Sequence, residues 1–204
     1  MAKKQNFLQE VCASHYGVGM HCRLSETELM ASCYYDEIMY VYRKLGGLLP
    51  KAPVNVGAYD VDTPNFIIEL DEENHFNRYR LSTLDSRIYA GNNNLCVTSY
   101  RNLCNGFENK CLTYGKYAKN DSTEKQFGAS QVDGEFSSVS RTRWKQRAFY
   151  DFIKDVTSVI TGVPVVRISI YENYKGYTIE ELLNSRNEKL LIEFVELRLK
   201  DIGL

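Results

Sequence analysis

The stretch FIIELDEENHF, residues 66–76, runs an apolar segment into Glu69, Asp71, Glu72 and Glu73 and then places His75 beside them. Carboxylates gathered on one side of a strand repel one another unless a cation sits among them. Oxygen-only donors suit Mg²⁺ or Mn²⁺. A histidine close to such an ion can orient or deprotonate a water, or stabilise a leaving group. The chemistry indicated is metal-assisted hydrolysis of a phosphodiester. A plainer reading stands beside it: a half-buried strand with Phe66, Ile67, Ile68 and Leu70 as core and Glu69 in water, followed by acids that open a helix.

The neighbouring elements decide which groups meet. PVNVGAYDV (53–61) reads as a strand, DTPN (62–65) as a tight turn and FIIEL (66–70) as the returning strand. A loop of two or four residues centred on Thr63–Pro64 sets Val61 opposite Phe66, Asp60 opposite Ile67 and Ala58 opposite Glu69. Asp60, Glu69 and Asp71 then share one face, close enough to share a cation. A three-residue loop would slip the register and break this.

Helices and a further strand flank the hairpin. The first 47 residues read as a helical region. Within it, LSETELMASCYYDEIMYVYRKLGG (24–47) is expected to be one helix, opened by a Ser25/Glu28 capping box and stopped by Gly46–Gly47. TRWKQRAFYDFIKDVTSVIT (142–161) is a helix with Trp144, Ala148, Phe152, Val156 and Val159 or Ile160 on one face. VPVVRISIY (163–171) is a buried strand, and one or two helices close the chain. Residues 90–140 hold Gly, Asn, Ser, tyrosines and three cysteines without clear periodicity, and read as a loop-rich insertion. The order gives a single α/β or α+β domain over residues 1–204, with a small mixed sheet flanked by helices.

Composition narrows the partners. With 25 basic and 26 acidic residues the formal net charge is −1, so a nucleic-acid partner needs a local patch. Arg141, Arg143, Lys145 and Arg147 at the start of helix 142–161 are the candidate patch for phosphate contact. A solvated face paired with nearby acids is the alternative. No apolar run is long enough to cross a bilayer, and MAKKQNFLQE is no secretory signal. A cytoplasmic protein without a membrane partner, its six cysteines mostly reduced, is expected. Cys12, Cys22, Cys96, Cys104 and Cys111, with His15 and His21, lack the paired spacing of a zinc site. Buried free cysteines are therefore favoured over structural Zn²⁺.

IIELDEENHF resembles the strand-to-helix signature of Vsr-like (very-short-patch-repair-like) endonuclease domains in the PD-(D/E)XK nuclease superfamily. There a strand carries Glu-x-Asp with a His four positions on, which here gives Glu69, Asp71 and His75. A helix reading Asp-x-x-Arg, a Gly and a strand ending in apolar-Arg match Asp151, Lys154, Gly162 and VPVVRIS with Arg167. The upstream Asp matches Asp60, or less well Asp62. The likeness covers roughly residues 54–80 and 145–171. Glu72 stands where those relatives have Gly, and Lys154 where they have Arg. The resemblance implies a restriction-endonuclease-like core and a Mg²⁺- or Mn²⁺-dependent nuclease acting on DNA or RNA, more readily DNA. Asp60, Glu69 and Asp71 would hold the metal. His75 would be the acid/base or transition-state contact, and Lys154 would replace the superfamily lysine. A catalytically inactive module on the same fold, binding nucleic acid or protein, is the alternative.

Overall fold

A computed structural model describes residues 2–54, 57–90, 95–114, 121–129 and 142–204. Among them no helix is long and apolar enough to cross a membrane. The chain is a mixed α and β structure built on a three-stranded sheet in the order β1–β2–β3. β1 is Val61–Asp62, β2 is Ile67–Asp71 and β3 is Val165–Ser169. β1 runs antiparallel to β2, and β3 runs parallel to β2 with Glu69 beside Arg167 and Asp71 beside Ser169.

The hairpin differs from expectation in two respects. Among the described residues of 53–62 the strand is confined to Val61–Asp62, because the Asp60 carboxylate accepts the Leu70 N–H at 2.8 Å where a backbone carbonyl would continue the ladder. The register is Val61 with Ile68 and Asp62 with Ile67. Its turn is centred on Pro64–Asn65, since Thr63 N–H and Oγ1–H both donate to the Phe66 carbonyl at 3.0 and 2.6 Å. This lies two residues from the expected pairing, and a two-residue shift leaves every side chain on its original face. Asp60 therefore remains on the side of Glu69.

Helices cover the sheet. α1 (Ala2–Tyr16) buries Phe7, Leu8, Val11 and Cys12, and the chain after it lies along the β1 edge. Gly19 N–H donates to the Asp62 carbonyl at 2.8 Å there, and a Cβ at Gly19 would fall 2.2 Å from the Thr63 carbonyl oxygen. The single helix expected over 24–47 is two: α2 (Glu26–Ala31), with the Ser25/Glu28 capping box, and α3 (Tyr35–Lys44). Ser32 separates them, its hydroxyl donating to the Leu29 carbonyl at 2.7 Å and competing with the backbone ladder. After β2 come a 3₁₀ turn (Glu73–His75), α4 (Arg78–Thr83) and a second 3₁₀ turn (Arg87–Tyr89).

Residues 90–140 are not loop-rich where they are described: α5 spans Val97–Tyr114 and α6 spans Asp121–Phe127. Tyr100, Cys104 and Cys111 form the buried stripe of α5, with Phe107 partly buried beside it. α7 (Thr142–Thr161) follows. Beyond β3, the short hairpin β4 (Asn173–Tyr174) and β5 (Tyr177–Thr178) leads into α8 (Ile179–Asn184) and α9 (Glu188–Asp201).

α7 positions the site. Ala148, Phe149, Phe152, Ile153 and Val156 are fully buried, while Ile160 is only half-buried. Trp144 is buried in a small cluster with Cys111, as a packing anchor. The same helix also buries Asp151 and Asp155, one turn apart, and so carries a polar stripe into the protein. Replacing Phe152, with no exposed surface, by Ala should cost about 3–5 kcal/mol in urea unfolding. A loss below about 1 kcal/mol would mean the helix packs through another face.

Candidate active site: a carboxylate pocket above a buried ion cluster

Every residue of β2 is buried, Glu69 and Asp71 included, at 2% and 1% exposure. A strand face turned to water is thereby excluded. Burial of a carboxylate requires a partner, and the two acids find different ones.

Asp71 belongs to a cluster beneath the pocket. Arg167 Nη1 donates to both its oxygens, at 2.8 and 3.0 Å. The Tyr100 hydroxyl donates to Oδ2 in a short hydrogen bond, and His75 Nδ1 lies 3.0 Å from Oδ1. Arg167 also bonds Asp155 Oδ1 through Nε at 2.7 Å and the Asp151 carbonyl through Nη2 at 2.9 Å. Asp155 receives Arg80 at 2.8 Å and the Tyr89 hydroxyl at 2.6 Å. His75 Nδ1 lies 2.8 Å from Asp151 Oδ2. Burial raises the Asp71 and Asp151 carboxyls, but Arg167 and His75 outweigh it and hold both well below the usual range. Burial works against the charge on His75, yet Asp151 and Asp71 push its pKa up to about 9.

Glu69 faces a cavity of about 200 Å³ lined by Asp60, Glu72, His75, Arg147, Asp151 and Lys154 among others. Lys154 Nζ donates to Glu69 Oε2 at 2.6 Å and to the Ala58 carbonyl at 3.0 Å. The Asp60 N–H approaches Glu69 Oε1 at 3.3 Å. Burial, countered by Lys154 and reinforced by Asp60, pushes the Glu69 carboxyl up to about 7. Burial raises Asp60 as well. The turn through Glu72 and Glu73 returns His75 over the end of β2, its N–H donating to the Glu72 carbonyl at 3.0 Å.

The structure thus brings together Asp60, Glu69, His75 and Lys154, all anticipated from sequence. Asp71 shares the strand face of Glu69 but does not line the cavity, because Arg167 and Tyr100 engage its carboxylate from below. Among the described residues, the group of three ligand-type side chains within mutual reach is Asp71, His75 and Asp151. No such group among the described residues contains a cysteine. His21 is used by Asp62, with Nδ1 at 2.5 Å, and His15 lies 3.6 Å from Glu196. The basic patch is also divided. Arg143 and Arg147 lie one turn apart, Lys145 sits on another side over the Tyr79 ring, and Arg141 lies outside the described residues. Sequence reasoning missed Tyr100, Arg80 and Asp155. For Tyr100 the signal was its spacing to Cys104 and Cys111.

A family model covers residues 40–185. The chain belongs to DUF7255, a family of unknown function. No curated protein and no solved structure matches it. The stretch shared with DUF7255 holds Asp60, Glu69, Glu72, His75, Arg147, Asp151 and Lys154, the charged lining of the pocket, together with Asp71 and Arg167 beneath it.

The cluster fixes a pH profile. The folded pKa of His75 is raised above its unfolded value of 6.5, so its contribution is complete below pH 6.5 and disappears as the pH rises through 9. That loss should amount to about 3 kcal/mol. Asp71 and Asp151 are depressed, so their contribution is present above the unfolded value of 3.8 and is lost as the pH falls. Urea unfolding from pH 3 to 10 should show stability lost towards acid as Asp71 and Asp151 take up protons. Stability should be lost again between pH 7 and 9, above the range in which the raised Glu69 carboxyl titrates, and His75→Gln should remove that alkaline limb. An unchanged alkaline limb in that variant would show that His75 is not the titrating group.

Proposed function

We propose that this protein is a divalent-metal-dependent nuclease, with Asp60 and Glu69 as its metal ligands. The observation that carries the reading is a pair of adjacent carboxyls: buried Glu69 and half-buried Asp60 face the cavity side by side, and among the described residues Lys154 is the cation within ion-pair distance of Glu69. Burial and mutual repulsion oppose ionisation of both acids, and a cation between them would favour their charged forms. Two carboxylates leave the remaining positions around Mg²⁺ to waters and phosphate oxygens, a common arrangement for that ion. A Mg²⁺ or Mn²⁺ ion held there would polarise a phosphoryl oxygen and make bound water more acidic.

The chain's own residues supply the rest. β2 fixes Glu69 on a rigid element, and Leu70 N–H holds Asp60 beside it. Lys154 comes from α7 to Glu69 Oε2, where it would take the place of the lysine that the superfamily carries two positions after the Glu. The hairpin, the following helices and the parallel return strand agree with a PD-(D/E)XK-like order of elements, which supports the resemblance seen in the sequence. Nucleic acid is the substrate this chemistry implies, with DNA first.

A second reading has its own observation. The Lys154–Glu69 pair compensates Glu69 without any metal, as in a catalytically inactive module that binds nucleic acid or protein. Cleavage separates the two. Purified protein with Mg²⁺ or Mn²⁺ should nick supercoiled plasmid or cut single-stranded DNA or RNA. Glu69→Gln should abolish this with an unchanged melting curve, because the amide keeps the shape and removes the charge. Wild type that binds no Mn²⁺ by calorimetry and cuts none of these substrates would leave the binding module as the reading.

A further inference from the structure

Arg147 lies one turn before Asp151 on α7 and lines the same cavity, half-buried. Its Nη1 is 3.3 Å from Nε2 of His75. Among the described residues no carboxylate lies within ion-pair distance of its guanidinium, whereas Arg80, Lys154 and Arg167 each have one. The cation one turn away, Arg143, adds like charge: burial first and Arg147 second push its own pKa down. On the other side of the imidazole, Asp71 and Asp151 both approach Nδ1. That nitrogen is committed to the buried cluster, and Nε2 is the ring atom on the Arg147 side. In the tautomer with its proton on Nδ1 the ring accepts from Arg147 at Nε2; protonated on both nitrogens, it sets two N–H donors side by side, an arrangement that a shared anion relieves.

We propose that Arg147 and the Nε2 edge of His75 form an anion subsite that takes a phosphate oxygen of a nucleic-acid backbone, beside the Asp60–Glu69 pair. The identity of the anion's carrier rests on the nuclease reading, and the existence of the subsite does not. A guanidinium offers forked donors to two non-bridging oxygens, and Nε2–H adds a third donor. His75 is thereby a donor that steadies charge on the phosphate, and is not the base that takes a proton from water. The cavity then has two sides of opposite demand, cation at Asp60 and Glu69, anion at Arg147 and His75.

The test is a titration of full-length protein in EDTA with inorganic phosphate and with the dinucleotide TpT, read on the imidazole ¹⁵N resonances. The chain has three histidines, so His75 is assigned by comparison with His75→Gln. Wild type should show a saturable shift at Nε2 with both probes. Arg147→Ala should weaken binding about tenfold or more, and Arg147→Lys should recover part of it. Arg147→Gln gives the same reading where the alanine variant fails to fold. Lys189→Ala, exposed on α9, should bind as wild type does. No saturable response to either probe, or undiminished binding by Arg147→Ala, overturns the subsite. A response to phosphate without one to TpT overturns its assignment to a nucleic-acid backbone. Because no metal is present and no bond is cut, failure here leaves the nuclease reading standing, and absence of cleavage leaves this result readable.

Discussion

The fully buried guanidinium of Arg167 is the constraint on which the rest of the structure depends. From β3 it reaches Asp71 on β2 and both Asp155 and the Asp151 carbonyl on α7. Asp155 then ties in Arg80 of α4, and Asp71 ties in Tyr100 of α5. A buried guanidinium is costly unless its donors are satisfied. Here Nε, Nη1 and Nη2 each have an acceptor, and each acceptor sits on a separate point of the sheet or of α7. The pairing of β2 with β3 and the seating of α7 are therefore set by directional bonds in addition to the apolar packing of Phe149, Phe152 and Val156.

Charge balance separates the two layers of the site. In the buried layer three cations, Arg80, His75 and Arg167, meet three carboxylates, Asp71, Asp151 and Asp155. With His75 protonated that layer is balanced within the protein, and Asp71, His75 and Asp151 are also close enough to one another to be ligands. At the cavity Lys154 pairs with Glu69, Asp60 and Glu72 stand beside that pair, and Arg147 meets no carboxylate among the described residues. The functional reading follows from that contrast: the lower layer is structure, and the upper one is chemically unfinished.

The sequence made some of this legible because spacing alone decides it. Strand parity placed Glu69 and Asp71 on one face, and helical periodicity placed Phe152 and Val156 in the core. Parity also protected the placement of Asp60, since the two-residue error in register did not turn its side chain over. Other parts were beyond reach. Glu69 and Asp71 are equivalent in the strand pattern, and only the tertiary approach of Arg167 and Lys154 gives them different partners. The helix at 97–114 was obscured because its buried stripe consists of tyrosine and cysteines, residues easily taken for ligands or surface. The break at Ser32 came from a side-chain hydrogen bond that propensity does not register.

The central claim is that the cation site is the Asp60–Glu69 pair and not the Asp71–His75–Asp151 cluster. Crystals soaked in Mn²⁺ and measured at the manganese absorption edge test it most directly. The account predicts one anomalous peak between the Asp60 and Glu69 carboxylates, with Arg167 still bonded to Asp71. A peak seated on Asp71, His75 and Asp151, or no peak with the cavity open to solvent, would contradict it.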